Sequence, residues 1–234
     1  MLLSYTGRVR TNYLESFMQM TRPFVSKQIS ARRAADGWGA HSKAVDADGR
    51  LLPVFRGQHG AANHWSESQI GSLSFGSARA ASVYAEKPNN RQHIALAPKV
   101  FPVYLDIQKP FLECPTDPFM DFSHYADVFG IDDAKRLAVK FKDYVLSTDT
   151  WHAISGDIES VEELTAQRPD LLLELCMLLY PVLDDADEVA RLVAHGFDGA
   201  IHAGSGWASA HEPEYRVFST EQVRSVWDTC FSPV

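Results

Sequence analysis

Short strand-like segments on either side of a long helical block constrain the fold of this chain more than any other feature. The clearest of them alternate apolar with polar residues, the pattern of a strand with one buried face. The segments are residues 51–56, 71–77, 100–107, 196–201 and 214–218. Between the third and the fourth, residues 132–148 and 158–194 carry Leu, Ala and charged residues at helical spacing. Strands that flank a run of helices predict an α+β domain.

Three further segments organise the amino-terminal part of the chain. Residues 10–35 place apolar side chains at roughly helical spacing, and Pro23 divides them into two short helices. The Gly- and Asp-rich residues 36–50 predict a loop or a domain boundary. Residues 77–86 predict a short helix between the first strands.

The composition is that of a globular protein. Of the 234 residues, 45% are hydrophobic and 22% are charged, which excludes a disordered tail or a fibre. No apolar run approaches the roughly 20 residues of a membrane-spanning helix, and the amino terminus lacks the apolar core of about 7–15 residues of a secretory signal. Three scattered cysteines, Cys114, Cys176 and Cys230, favour a reducing compartment. We therefore expect a cytoplasmic protein, or one delivered into a target cell without such a signal.

Charge is unevenly distributed along the chain. The net charge is −8, but residues 1–50 carry eight Lys and Arg against four Asp and Glu, a charge of +4, which leaves −12 for the remainder. The acidic body repels a polyanion, and only the amino-terminal segment attracts one. Nucleic acid is therefore a disfavoured partner that the basic segment still leaves open.

The sequence contains no familiar catalytic or metal-binding motif. His59 and His64 are five residues apart and His202 and His211 are nine apart, without a compact cluster of His and carboxylates, so no metal is predicted. There is no nucleophile elbow, no phosphate-binding P-loop and no dinucleotide-binding glycine pattern after a strand. A Cys and His nucleophile pair is left open, without a local signature in its favour.

At three places in the chain, the neighbouring residues suggest a catalytic or binding role for a polar side chain. Arg56 ends an apolar strand and precedes Gly57, where the missing side chain lets a ligand approach the backbone. Ser74 lies in a strand of small residues that leads into a helix. Glu212 and Glu214 are separated by one residue, and in extended backbone both point to the same side. Each setting also has an ordinary structural explanation: a surface ion pair for the arginine, a backbone hydrogen bond for the serine and hydration for the two acids.

Taken in order, these segments resemble the mono-ADP-ribosyltransferase superfamily, and most closely the transferase domains of polyvalent proteins from phages and mobile elements. The resemblance covers about residues 51–110 and 195–227. Its motifs are Val54-Phe55-Arg56-Gly57; Leu73-Ser74-Phe75-Gly76-Ser77 with Ala81 and Tyr84 after it; Val103 to Phe111; Gly196 to Ile201; Glu214 to Phe218; and Gln222 to Val226. The second motif lacks the full Ser-Thr-Ser triplet of arginine-modifying members, so the place of Ser74 depends on aligning Phe75 with the family's aromatic residue.

The resemblance implies a split β-sandwich of two small, mostly antiparallel sheets around a cleft for NAD. Residues 1–50 form a helical flank in this interpretation, and residues 51–234 form the ADP-ribosyltransferase-like domain. About residues 112–194 form a helical insertion without a counterpart in the family.

The resemblance also implies roles for particular residues. Glu214 stabilises the oxocarbenium ion that forms as nicotinamide leaves NAD, and Ser74 holds that carboxylate in place. NAD is the co-substrate, and no metal is implied. The residues expected to contact NAD are Arg56 at its phosphates, Gly57 at the nicotinamide amide, Ser74, and Phe75 or Tyr84 by stacking on the nicotinamide ring.

Glu212 bears on the acceptor of the ADP-ribose. A Glu-x-Glu pair resembles that of arginine-modifying members, in which the upstream acid engages the acceptor guanidinium, so a protein arginine is favoured. Pro213 between the two acids restricts the backbone that sets their relative geometry. Residues 202–213 are predicted to form a loop that recognises the acceptor, and Trp207 within it fits a recognition role and a place in the core equally well.

The sequence is also compatible with other functions. Water as the acceptor would make the protein an NAD glycohydrolase, and the same residues serve both reactions. Nucleic acid is another acceptor, and a binding module that keeps the fold without activity is a third alternative, which the intact Glu214 disfavours. A toxin, a delivered effector and a phage-encoded modifier all fit the pattern, and a toxin would have a neutralising partner protein.

Overall fold

The computed structural model describes residues 37–58, 71–86, 98–206 and 208–226. Its strands are β1 (Val54–Gln58), β2 (Leu73–Phe75), β3 (Lys99–Leu105), β4 (Pro110–Cys114), β5 (Phe119–Asp121), β6 (Cys176–Leu178), β7 (Gly199–Ala203), β8 (Pro213–Val217) and β9 (Val223–Ser225). Its helices are α1 (Ala78–Glu86), α2 (Phe122–Phe129), α3 (Ile131–Lys140), α4 (Lys142–Leu146), α5 (Asp149–Ile154), α6 (Val161–Gln167), α7 (Pro169–Leu172), α8 (Tyr180–Asp184) and α9 (Ala186–Ala194), and a 3-10 turn covers Thr220–Gln222.

The described strands form three small sheets. One has the order β1-β3-β9, the second β2-β8-β7-β4 and the third β5-β6. Within these sheets, every neighbouring pair is antiparallel except β4 and β7. A backbone bridge between Phe55 and Gly76 joins β1 to the residue after β2, so the first two sheets meet there. The predicted mixture of helices and small, mostly antiparallel sheets is confirmed.

One hydrophobic core lies between the first two sheets. Val54, Val103 and Leu105 of the three-stranded sheet pack against residues of the four-stranded sheet such as Phe75 and Val217. Because side chains alternate along a strand, the residues between these apolar positions project from the opposite face of the four-stranded sheet. We call this opposite face the polar face; it carries Ser74, His202, Glu214 and Arg216.

A second hydrophobic core belongs to the helical region. Leu137, Leu164 and Met177 are among its fully buried side chains, and Ala200 of β7 joins it from the four-stranded sheet. Ala200 precedes Ile201, whose side chain packs in the first core. The four-stranded sheet therefore has one face on each core, with its polar residues on the side of the helical region.

The helical region departs from its predicted extent in two places. Residues 158–194 were expected to be helical, but Cys176–Leu178 forms β6 and pairs with β5. A short apolar run is compatible with either structure by periodicity alone, and here pairing with Phe119–Asp121 decides for a strand. In addition, β4 extends to Cys114 and pairs with β7, so residues 112–114 belong to the sheet and not to a helical insertion.

Of the predicted helical flank over residues 1–50, the structure describes only residues 37–50, the part for which the sequence predicts a loop. Residues 37–50 form turns without a helix, and Ala44 is fully buried in the core between the sheets. Lys43 N–H donates to the Ile107 carbonyl oxygen at 2.6 Å, and Ser42 Oγ donates to the Leu105 carbonyl oxygen at 2.7 Å. These bonds attach the segment to the end of β3. The two helices predicted over residues 10–35 lie outside the described residues.

None of the helices in the described ranges has the length and apolar character needed to cross a bilayer.

Candidate active site

The carboxylate of Glu214 lies at the centre of the polar face. Its Oε1 accepts hydrogen bonds from Ser74 Oγ at 2.7 Å and from Arg216 Nε at 2.7 Å. Its Oε2 is 3.4 Å from Ser209 Oγ. Glu214 is only 8% exposed, so these contacts and not water set the orientation of the carboxylate.

Strand pairing brings these side chains together. Ser74 of β2 is directly opposite Arg216 of β8, and His202 of β7 is opposite Glu214. Glu214 and Arg216 project from the same face because they are two residues apart in a strand. Ser74 and Glu214, placed in one site by the sequence analysis, are 140 residues apart in the chain and in direct contact in the fold.

Glu214 is held in its ionised form. Burial alone would raise the pKa of Glu214, but the charge of Arg216 and the hydrogen bonds from Ser74 and Arg216 together hold it below the ordinary value of 4.5. A buried carboxylate that stays charged is suited to stabilising a positive charge that develops beside it.

Arg56 of β1 reaches the same cluster. Its Nη1 donates to the carbonyl oxygen of Ser74 at 3.0 Å, and its Cζ lies 5.8 Å from the centre of the Phe75 ring. Its Nε is buried and has no hydrogen-bond partner among the described residues. Burial is also the main cause that lowers the pKa of this guanidinium. An unpaired donor on a cation favours an anionic ligand atom at that position.

Gly57 is buried, and the structure fixes both its packing and the direction of its backbone polar groups. A Cβ at this position would overlap the Ala81 carbonyl oxygen, so only glycine lets α1 pack this closely on β1. The N–H and C=O of Phe55 both bond to Gly76, on the side of β1 away from β3. Because backbone groups alternate along a strand, the N–H and C=O of Gly57 point to that same side.

The two aromatic residues proposed to stack on a nicotinamide ring differ in exposure. Phe75 is 1% exposed and packs in the core between the sheets, so its ring faces are unavailable to a ligand and the stacking role expected of it is not supported. Tyr84, on α1, is 58% exposed. Phe75 instead lies beneath the guanidinium of Arg56, and Tyr84 is the aromatic ring with a free surface.

Glu212 lies just before β8 and is tied to the start of α1. Ser77 Oγ donates to its Oε2, and Arg79 donates to its Oε1 through Nε at 2.7 Å and through Nη2. Ser77 Oγ also accepts from Ala80 N–H at 3.0 Å, as an N-cap residue does. Burial alone would raise the pKa of Glu212, but the bonds from Ser77 and Arg79 hold it below its ordinary value.

Arg216 is a site residue that the sequence analysis missed. It is 5% exposed, and besides Glu214 its Nη1 contacts Asp184 Oδ1 at 2.7 Å and Ser72 Oγ at 3.2 Å. Asp184 ends α8, so the helical region contributes to the cluster around Glu214. The signal was present in the sequence, because Arg216 follows Glu214 by two residues just as Glu214 follows Glu212.

His202 is also part of the polar face, although the sequence analysis placed it in a loop. It lies in β7 and is fully buried, with Nδ1 2.7 Å from the Ala203 carbonyl oxygen. Its Nε2 has no hydrogen-bond partner among the described residues. Burial is the main cause that lowers the pKa of His202, so the ring is neutral at pH 7, with the proton on Nδ1.

The remaining motifs of the resemblance connect strands rather than line a site. The Asp198 carboxylate accepts from the N–H groups of Gln108 at 2.8 Å and Lys109 at 2.9 Å. Gln222 Nε2 donates to the carbonyl oxygens of Asp106 at 2.9 Å and Asp198 at 2.8 Å. Three segments far apart in sequence are thereby tied at the ends of β3 and β7.

The loop expected to recognise an acceptor begins later than predicted, because β7 extends to Ala203. Gly204 N–H donates to the Glu212 carbonyl oxygen at 2.8 Å, which closes the loop at its base. Ser209 within it approaches Glu214, as described above. Trp207 lies outside the described residues.

No group of three or more His, Cys, Asp or Glu residues in the described part of the chain could hold a metal ion. His59 and His64 lie outside that part.

Comparison with known proteins finds no match for this chain among protein-family models, curated proteins or solved structures.

Proposed function

We propose that the protein is an NAD-dependent mono-ADP-ribosyltransferase. Its motifs resemble those of that family, and we propose that it also has the family's split β-sandwich fold. The observation that carries the proposal is the hydrogen bond from Ser74 Oγ to Glu214 Oε1 at 2.7 Å, with Arg56 bonded to the backbone of the same serine. These three residues come from three different strands and match three separate motifs of the family.

Glu214 is the catalytic residue of the proposed reaction. Cleavage of the bond between nicotinamide and ribose places positive charge on the ribose, and a fixed carboxylate stabilises that charge only as it appears. Ser74 and Arg216 both bind Oε1, whereas Oε2 has only the longer contact with Ser209 among the described residues. Oε2 is therefore the atom that we assign to the ribose and its 2′-hydroxyl group.

The other groups of the cofactor have candidate partners around this carboxylate. The unpaired Nε of Arg56 suits a phosphate oxygen. The backbone edge of Gly57 suits the nicotinamide amide, and the exposed ring of Tyr84 suits stacking on the nicotinamide ring.

Glu212 supports a guanidinium as the acceptor. It already binds the guanidinium of Arg79 through two nitrogens, so its position and charge are compatible with an arginine side chain. We therefore propose a protein arginine as the acceptor class.

Hydrolysis of NAD is the second candidate function, and the contact between Arg79 and Glu212 also favours it. As long as Arg79 occupies Glu212, an external arginine has to displace it, whereas water needs no such displacement. The two functions share Glu214, Ser74 and Arg56 and differ only in what attacks the ribose.

Labelled NAD tests the proposal. The protein is incubated with NAD labelled on the adenylate, with and without a cell lysate, and nicotinamide release is measured together with label bound to protein or nucleic acid. Label on protein supports the transferase, label on nucleic acid contradicts the acceptor class, and release without bound label supports the hydrolase. Glu214→Gln should abolish release, and Glu159→Gln, at an exposed position outside the cluster, is the matched control. Full turnover by Glu214→Gln would contradict the site.

A further inference from the structure

Glu212, the carboxylate that we assign to binding the acceptor, already binds the guanidinium of Arg79 in the same chain. Nε and Nη2 of Arg79 both donate to Oε1 of Glu212, and Ser77 binds the other oxygen. A carboxylate fixed by a serine on one oxygen and bound to a guanidinium on the other is a formed arginine-binding position. Arg79 of the same chain occupies that position.

We propose that Arg79 is the protein's own acceptor and is ADP-ribosylated in cis. This inference rests on the proposed function and adds to it a specific modification site.

The placement of Arg79 is suited to such a reaction. Glu212 and Glu214 are separated by one residue, which corresponds to roughly 7 Å between their Cα atoms in extended backbone. A ribose held against Glu214 is therefore next to the guanidinium held by Glu212. The edge formed by Nε and Nη2 faces Glu212, so Nη1 lies on the other side of the planar group and carries no bond to that carboxylate. The Arg79 side chain is 60% exposed, which leaves room for the product.

The chemical step is a substitution at the anomeric carbon of the nicotinamide ribose. The bond from that carbon to the nicotinamide nitrogen breaks, and its electron pair neutralises the pyridinium charge of the leaving nicotinamide. Nη2 of Arg79, which donates to Glu212, gives that carboxylate one proton, which then passes to water. Nη1 of the resulting neutral guanidine forms the new bond to carbon, and one of its protons moves to Nη2, which restores the guanidinium charge. The products are Arg79 carrying ADP-ribose, nicotinamide and a proton, and NAD is the one co-reactant.

Arg168 provides a matched comparison within the same chain. Its Nε and Nη2 contact the carboxylate of Asp170 at 3.1 Å and 2.7 Å, and its side chain is 52% exposed. Contact type and exposure thus resemble those of Arg79, but Arg168 comes directly before α7 and Asp170 lies within it, and neither residue is among the contacts of Glu214 given above. If exposure and an ion pair were enough, both arginines would react.

The experiment uses the full-length protein and NAD without any added acceptor. Intact-mass measurement should show one ADP-ribose per chain, and peptide mapping should place it on Arg79. The rate constant should not change when the protein is diluted about tenfold, because a reaction in cis is first order. Arg79→Lys should lose the label, whereas Arg168→Lys should keep it. Circular dichroism checks that both variants are folded.

Three results would overturn the inference alone. The first is release of nicotinamide in the presence of an added guanidinium compound such as agmatine while Arg79 stays unmodified, which leaves the proposed function standing. The second is label on Arg168 or elsewhere at a similar level. The third is transfer of label from the active protein to a tagged Glu214→Gln chain at a rate that rises with concentration, which shows reaction in trans. Absence of nicotinamide release under every condition overturns the proposed function together with the inference.

Discussion

Arg216 donates from Nε to Oε1 of Glu214 at 2.7 Å, and the two side chains project from the same face of β8. The side chains of both residues are at most 10% exposed. The two charges of the pair are therefore inside the protein. Asp184 and Ser72 also bond to Arg216, and Ser74 and Ser209 also contact Glu214. Four elements, β2, β8, α8 and the loop before β8, converge on this pair. The expected effects of substitution follow from these contacts.

Glu214→Gln should remove activity while keeping the fold. Gln preserves the shape of the side chain and can still accept at one oxygen, but it carries no charge to stabilise a cationic ribose. Loss of a preorganised electrostatic group typically costs about 10²–10³-fold in kcat, and we expect at least that loss in nicotinamide release. Thermal unfolding should remain cooperative, with a lower midpoint because Arg216 loses a charged partner. Full turnover by this variant would contradict the catalytic role of Glu214, whatever its stability.

Arg216→Met should be far more destabilising than a surface substitution. It leaves Glu214 buried without its strongest counter-charge, and removing one partner of a buried ion pair typically costs about 3–5 kcal/mol. Urea unfolding measures this loss. Arg216→Lys keeps the charge but has no planar fork to bridge Glu214 and Asp184, so it should recover only part of the stability. A loss below about 1 kcal/mol for Arg216→Met, the scale of an exposed ion pair, would contradict the buried pair.

Asp184→Asn should affect turnover more than the affinity for NAD. Asp184 orients Arg216, which in turn orients Glu214, so its loss loosens the carboxylate without removing a group that touches the substrate. We expect kcat for nicotinamide release to fall by about tenfold, which corresponds to about 1.4 kcal/mol, with little change in KM for NAD. Asp170→Asn breaks an exposed Arg–Asp pair elsewhere and should leave both constants unchanged. A change in KM alone would show that Asp184 acts on binding.

Stability should fall in acid in a way that depends on Glu214. The pKa of Glu214 is below its ordinary value of 4.5 in the folded protein, so the unfolded chain takes up the proton first as the pH falls. The stabilisation is complete above about pH 4.5 and disappears as the pH falls through the lowered folded value. The difference in unfolding free energy between wild type and Glu214→Gln should therefore shrink as the pH falls below about 4.5. A constant difference would show that Glu214 is not stabilised in its charged form.

Gly57→Ala should disrupt the packing of α1 on β1. A Cβ at Gly57 would overlap the Ala81 carbonyl oxygen, and the backbone of a helix cannot move aside without losing its contacts. Overpacking of this kind typically costs about 1–3 kcal/mol. Gly76→Ala is the control, because the nearest atoms to its Cβ are at 3.8 Å. Equal stability of the two variants in thermal unfolding would contradict the close approach of α1.

The sequence was sufficient to predict β8 and its two faces. The alternation of Glu214, Tyr215, Arg216 and Val217 predicted a strand with one apolar face, and the structure places Tyr215 and Val217 in the core and the charged residues opposite. The helix that starts after Ser77 was equally predictable, because its apolar spacing and its capping serine are local features. Local pattern was not sufficient for Cys176–Leu178, where an apolar run suits a strand and a helix alike and pairing with β5 decides.

The residues by themselves determined which side chains could carry chemistry, because residue type and spacing along a strand fix charge and direction. Only the tertiary structure decided their partners. The pairing of β2 with β8 places Ser74 on Glu214, and the packing of α8 brings Asp184 to Arg216. Likewise, the N-terminal turn of α1 brings Arg79 to Glu212. These contacts join residues that lie far apart in the chain, and the pairing and packing that create them depend on the whole fold, which no local pattern records.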